Sequence, residues 1–135
     1  MERLVYLDSS AIMRLVEGEL HVARAVREAA DGGLHVTSVI AITECLVHPI
    51  KHNDVLAIAS YRSILASPQF RLISADRAIS EQAATLRAHY RLKTPDAIHF
   101  ATAMAEGCQS LITSDADFKQ LDNLGGVKVV MITLR

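Results

Sequence analysis

A chain of 135 residues, 50% apolar and 21% charged, has the composition of one compact globular unit and is long enough to bury a sizeable core without disulfide staples. Fourteen Lys and Arg against fifteen Asp and Glu give a formal charge of −1, which excludes holding nucleic acid through a global positive field; a polyanion has to be bound locally. Six Gly and three Pro exclude collagen-like and linker-like chains, and no apolar run approaches the roughly 18 residues of a membrane span. The cysteines Cys45 and Cys108 stand in no metal-binding or redox spacing, and the N-terminus lacks a signal-peptide h-region. A cytoplasmic protein with a single domain over 1–135 and no membrane association is expected.

The apolar run Leu4–Leu7 closed by Asp8-Ser9-Ser10 predicts a strand and a polar turn, and 11–16 take up helical composition until Gly18. Val22, Ala25, Val26 and Ala29 give helical spacing over 20–30, and Asp31-Gly32-Gly33 separates that helix from a second strand at 34–37. Ser38 offers a cap for a helix over 39–47, which Pro49 is expected to end. Residues 54–65 form a further helix, Ser67-Pro68 breaks it, and Phe70–Ile73 predicts a third strand. An amphipathic helix over 78–90 precedes another opened by Thr94-Pro95 and running to Glu106, and strands at 110–113 and 127–132 complete the chain. Strands alternating with helices predict an α/β fold with one parallel sheet covered on both faces.

Ligands of such sheets bind beyond the edge where the strands end. Asp8 follows the first strand, Asp115 and Asp117 follow the strand ending at Thr113, Glu44 lies in the helix after the second strand, and Asp96 stands in the first turn of the 94–106 helix. Carboxylates from separated segments that converge on one edge repel one another, so the arrangement makes sense around divalent cations, and oxygen-only ligation favours Mg²⁺ or Mn²⁺. Such ions activate and orient water and neutralise a phosphoryl group, which implies phosphodiester hydrolysis. Each acid also has a plainer reading: Asp8 caps the first helix, Asp96 complements a helix dipole, and Asp76, which likewise follows a strand and opens a helix, is assigned to capping alone.

The segments Leu7-Asp8-Ser9-Ser10-Ala11, Thr43-Glu44, Thr94-Pro95-Asp96-Ala97-Ile98-His99-Phe100-Ala101-Thr102-Ala103 and Leu111-Ile112-Thr113-Ser114-Asp115-Ala116-Asp117-Phe118, taken in this order, resemble a PIN domain. They are most similar to the small toxin ribonucleases of VapBC-type toxin–antitoxin systems. The resemblance spans nearly the whole chain; its specificity lies in the ordered set, since no single motif is specific. It implies a three-layer α/β/α fold around a five-stranded parallel sheet and a Mg²⁺- or Mn²⁺-dependent endoribonuclease site. Asp8, Glu44, Asp96 and Asp115 match the acidic quartet, and Asp117 matches a position that often adds a fifth carboxylate. Ser9 matches the small hydroxyl residue that supports the first acid, Thr113 is expected as a second supporting residue, and Ser114 stands where the family commonly has Asn. The resemblance further implies an RNA substrate, a homodimer, and a small antitoxin protein whose C-terminal segment occupies the active-site groove.

Several other constellations compete. His48 and His52 have the spacing of a helical zinc pair, but Pro49 lies between them and no Glu follows the first. Asp96 and His99 share a helix face, where His99 is either a packed, hydrogen-bonded residue or a ligand or proton shuttle. Asp115-Ala116-Asp117 starts like a calcium loop but lacks its later ligands. Arg87, Arg91 and Lys93 precede Asp96 and are candidates for phosphate contact. A metal-dependent phosphatase or receiver domain would also place acids at strand ends, although a receiver's paired acids and late Lys are not evident. A non-catalytic RNA- or protein-binding module on the same fold is the alternative from another class.

Overall fold

The computed structural model describes residues 3–135; Met1 and Glu2, at the edge of the expected 1–135 domain, lie outside the described residues. The elements are β1 (Leu4–Leu7), α1 (Ser9–Glu17), α2 (Leu20–Ala30), β2 (Leu34–Ser38), α3 (Ile40–Lys51), α4 (Val55–Leu65), β3 (Phe70–Ile73), α5 (Arg77–His89), α6 (Thr94–Ala105), β4 (Ser110–Thr113) and β5 (Lys128–Met131). Two 3₁₀ segments, Ala116–Leu121 and Leu124–Gly126, occupy the stretch between β4 and β5, which sequence periodicity left without structure.

All the strands are parallel and lie in the order β3-β2-β1-β4-β5, so the fold is the expected α/β/α sandwich around a five-stranded sheet. Side chains alternate between the two faces with period two. Tyr6 and Leu111 point into one core with α5, α6, Phe118 and Leu121, while Val5, Leu7 and Ile112 point into the other with α1, α2, α3 and α4. The chain moves from β1 to β3 in one direction with its helices on one face, then returns to β4 with α5 and α6 on the other, as right-handed crossovers require. The direction therefore reverses at β1, and the crevice beyond β1 and β4 is the switch point where ligands of open parallel sheets bind.

Local chemistry fixes the ends of the elements that feed this crevice. Asp8 caps α1 by accepting the Ala11 N–H, so the helix opens at Ser9, earlier than its apolar pattern predicts. Gly107, at φ +69°, closes α6 in a left-handed conformation; its N–H reaches Met104 and that of Cys108 reaches Ala103, the paired bonds of a Schellman motif. Pro49 does not end α3, contrary to the sequence expectation. It sits in the last turn, where its missing N–H removes only one intrahelical bond, and the helix continues to Lys51 with Pro49 buried.

Candidate active site

Asp8 is only 3% exposed, and its carboxylate accepts three hydrogen bonds. Oδ1 accepts from the Ala11 N–H at 2.9 Å and from the Ser10 hydroxyl at 2.7 Å, and Oδ2 accepts from the Thr113 hydroxyl at 2.6 Å. Burial raises its pKa even though these donors oppose the rise. The capping role and the site role coincide in one residue. Ser10 Oγ also accepts the Ser114 N–H and Thr113 Oγ1 the Asp115 N–H, both at 2.9 Å, so the β4 end is stitched to the start of α1.

Glu44, on α3, is held from a different direction. Its Oε1 accepts from the Ser9 hydroxyl at 2.6 Å and lies 2.7 Å from His99 Nε2. Burial alone would raise the Glu44 pKa, but the hydrogen bonds from His99 and Ser9 outweigh it and leave the carboxyl below its ordinary value. His99 is buried, with its Nδ1 2.6 Å from the Tyr6 hydroxyl. Both ring nitrogens are thus engaged, which matches the packed, hydrogen-bonded reading of this residue and leaves neither free for an ion.

Ser9 departs from its expected role. Its hydroxyl faces Glu44, and the neighbouring Ser10 supports Asp8. Successive residues of a helix point about 100° apart, so at the start of α1 Ser9 looks toward α3 and Ser10 toward β4. Ser10, Tyr6 and the connecting role of His99 escaped the sequence reading; the only signal for Ser10 was the doubled hydroxyl after Asp8. The backbone of Ser114, not its side chain, makes the tie to α1.

Asp96, Asp115 and Asp117 come together, each offering an oxygen within 4.8 Å of the others. Asp115 Oδ1 accepts the Asp117 N–H at 2.9 Å, which folds the loop so that both acids face Asp96 across the crevice. Asp96 Oδ2 is buried without a hydrogen-bond partner. Burial, then the neighbouring charges of Asp115 and Asp8, push the Asp96 carboxyl up to about 6. An orphaned carboxylate oxygen among all-oxygen donors fits a hard divalent cation such as Mg²⁺ or Mn²⁺. Asp8, Glu44, Asp96 and Asp115 line one pocket of about 250 Å³ together with Ser9, His99 and Lys93.

The competing constellations sort by position. Asp76 caps α5 by accepting the Ile79 N–H and is not among the pocket residues. Arg87 donates to the Leu92 carbonyl and the Thr94 hydroxyl, bracing the loop into α6, whereas Lys93 lines the pocket. His48 lies in the last turn of α3 and His52 just beyond its end, with ring centroids 4.1 Å apart, but His52 Nδ1 is bonded to the His48 carbonyl. Among the described residues, no third ligand joins them.

The chain matches the PIN domain family model over residues 5–124 and belongs to that family, whose members are in general nucleases. No curated protein sequence matches it significantly. Its fold is similar to a chain of a toxin–antitoxin complex from Klebsiella pneumoniae at 28% identity and a TM-score of 0.69, covering 91% of this chain and 94% of that one. It is also similar to VapBC2 from Rickettsia felis, solved with a DNA fragment of its promoter, at 14% identity and a TM-score of 0.74, covering 96% and 99%. A third relative in fold is VapC20 from Mycobacterium tuberculosis, a toxin that cleaves the sarcin-ricin loop, at 20% identity and a TM-score of 0.72, covering 86% and 93%.

Proposed function

We propose that this PIN domain is a Mg²⁺- or Mn²⁺-dependent endoribonuclease and the toxin of a toxin–antitoxin pair. The observation that carries the reading is the buried, unpartnered Asp96 Oδ2 in a cluster with Asp115 and Asp117, a set of negative oxygens that a divalent cation would neutralise. When bound, the ion supplies charge neutralisation at the phosphoryl group and an activated water for in-line displacement. Asp96, Asp115 and Asp117 would hold it, and Asp8, fixed by Ser10 and Thr113, adds its charge to the pocket that Asp96 and Asp115 line. Glu44 keeps Oε1 on Ser9 and His99, so Oε2 remains to orient the attacking water or accept its proton. Lys93 at the pocket wall contacts the substrate phosphate.

An RNA substrate and an antitoxin partner are supported by the toxin–antitoxin nature of the structural relatives. A protein partner and a homodimer are also consistent with the exposed apolar side chains Val47 and Ile50 of α3 and Val55 and Leu56 of α4. We assign the whole of 1–135 to one nuclease domain and place it in the cytoplasm, in keeping with two free cysteines; no helix among the described residues is long and apolar enough to cross a membrane. The test is incubation of purified protein with total cellular RNA, with and without Mg²⁺ or Mn²⁺, followed by mapping of new 5′ ends. Discrete cation-dependent ends are expected, and RNA left intact under all conditions would refute the assignment.

A further inference from the structure

We infer that Tyr6 and His99 are positioning residues for Glu44: the Tyr6 hydroxyl fixes the tautomer of His99, whose Nε2–H in turn holds Glu44 Oε1 and leaves Oε2 directed to the reaction. The role rests on the nuclease reading for its catalytic consequence, but the hydrogen-bond assignment stands apart from it. A carboxylate oxygen only accepts, so the 2.7 Å contact with Glu44 requires the proton on Nε2. In the neutral imidazole Nδ1 then carries a lone pair, and the Tyr6 hydroxyl, 2.6 Å away, is the donor to it. Ser9 completes the set, because its hydroxyl hydrogen goes to Glu44 Oε1 at 2.6 Å while its oxygen lies 3.1 Å from Nε2.

The chain of contacts links elements on opposite faces of the sheet. Tyr6 lies on β1 and faces the core built with α6, His99 lies on α6, and Glu44 belongs to α3 on the other side. Tyr6 and His99 are essentially inaccessible, and their rings meet edge to face with centroids 5.7 Å apart, so neither has room to turn. Glu44 is the one solvent-accessible member, with a side chain 30% exposed. An acid at the mouth of the pocket is thereby tied, by one oxygen, to Ser9 and to the buried His99. Orientation of this kind affects turnover more than substrate affinity.

Long-range ¹H–¹⁵N spectroscopy of the metal-free protein at pH 7.5 reads the tautomer directly. The expected pattern for His99 is a protonated Nε2 and an unprotonated Nδ1, and Tyr6→Phe should shift the Nδ1 resonance while the fold persists, since only a hydroxyl is lost. In RNA cleavage, Tyr6→Phe should lower kcat about tenfold with KM changed less than about twofold. His99→Leu should lose more, and His99→Gln, which presents an N–H at nearly the reach of Nε2, should recover a large part of that loss. A proton on Nδ1, an unmoved Nδ1 resonance in Tyr6→Phe, or equal turnover of His99→Leu and His99→Gln would overturn the assignment. If the wild-type protein cleaves no RNA while the spectroscopic pattern holds, the nuclease reading fails and the hydrogen-bond relay does not.

Discussion

The Thr113 hydroxyl donates to Asp8 Oδ2 at 2.6 Å and accepts the Asp115 backbone N–H at 2.9 Å, so one side chain at the end of β4 sets the position of two acids that follow different strands. Thr113→Val keeps the shape and removes both bonds. A buried carboxylate and a backbone N–H each lose a partner, and we expect a loss of about 1–3 kcal/mol in urea unfolding. An unchanged unfolding midpoint would mean that Thr113 does not hold Asp8.

Asp96 makes stability depend on pH in a definite direction. Its carboxyl is raised from 3.8 to about 6, so the folded state binds this proton more tightly than the unfolded chain does. The resulting stabilisation is complete below about pH 4 and is lost as pH rises through about 6. Asp8, also raised, acts in the same direction, whereas the lowered Glu44 contributes above its unfolded pKa and loses that contribution as pH falls through its folded value. Metal-free protein is therefore expected to lose stability from pH 4 to 7, and Asp96→Asn should flatten that slope and be no less stable than the parent at pH 7. Denaturation midpoints across the pH series measure this; a destabilised Asp96→Asn would identify Asp96 as a structural residue of α6.

Cation binding should reverse the strain. At a concentration about a hundred times Kd, Mn²⁺ should stabilise the native state by about 2.7 kcal/mol if only that state binds it. The shift in Tm should shrink in Asp96→Asn and weaken below about pH 6, where the acid is protonated.

Ser9 and Ser10 separate cleanly. Ser10→Ala removes a donor to Asp8 and the acceptor of the Ser114 N–H, with an expected cost of about 1–2 kcal/mol in unfolding. Ser9→Ala removes one of the two donors to Glu44 Oε1, leaving His99, and should lower turnover with a smaller change in stability. The opposite ranking would contradict the geometry of the α1 start.

Most of the sheet and its helices were legible because they follow from local pattern, apolar runs, caps and glycine stops, whereas the end of α3 was not, since Pro49 in the last turn removes only one hydrogen bond. The site was only half legible. Residue type and place at strand ends singled out Asp8, Asp96 and Asp115, but the same rule could not separate Asp96 from Asp76, since both open helices and only tertiary packing gives one of them acidic neighbours. The roles of Ser9 and Ser10 depend on helix phase, which is hidden when the two are read as a turn ahead of α1. The Tyr6–His99 contact joins residues 93 apart in sequence, beyond anything periodicity records.

Lys93 and Arg87 differ in what they touch. Lys93→Ala should weaken RNA binding and reduce the salt slope by about one, as loss of a phosphate contact does. Arg87→Ala should instead act through stability, because its guanidinium is spent on Leu92 and Thr94. Equal salt slopes for Lys93→Ala and wild type would remove Lys93 from the substrate path.

Hydrolysis of RNA by water at a cation-dependent acidic site is tested most directly by end-group analysis of a defined RNA cleaved in Mn²⁺. Products with 5′-phosphate and 3′-hydroxyl ends, absent with chelator and absent with Asp96→Asn, are predicted. Cyclic phosphate ends, or cleavage that persists in chelator, would contradict it.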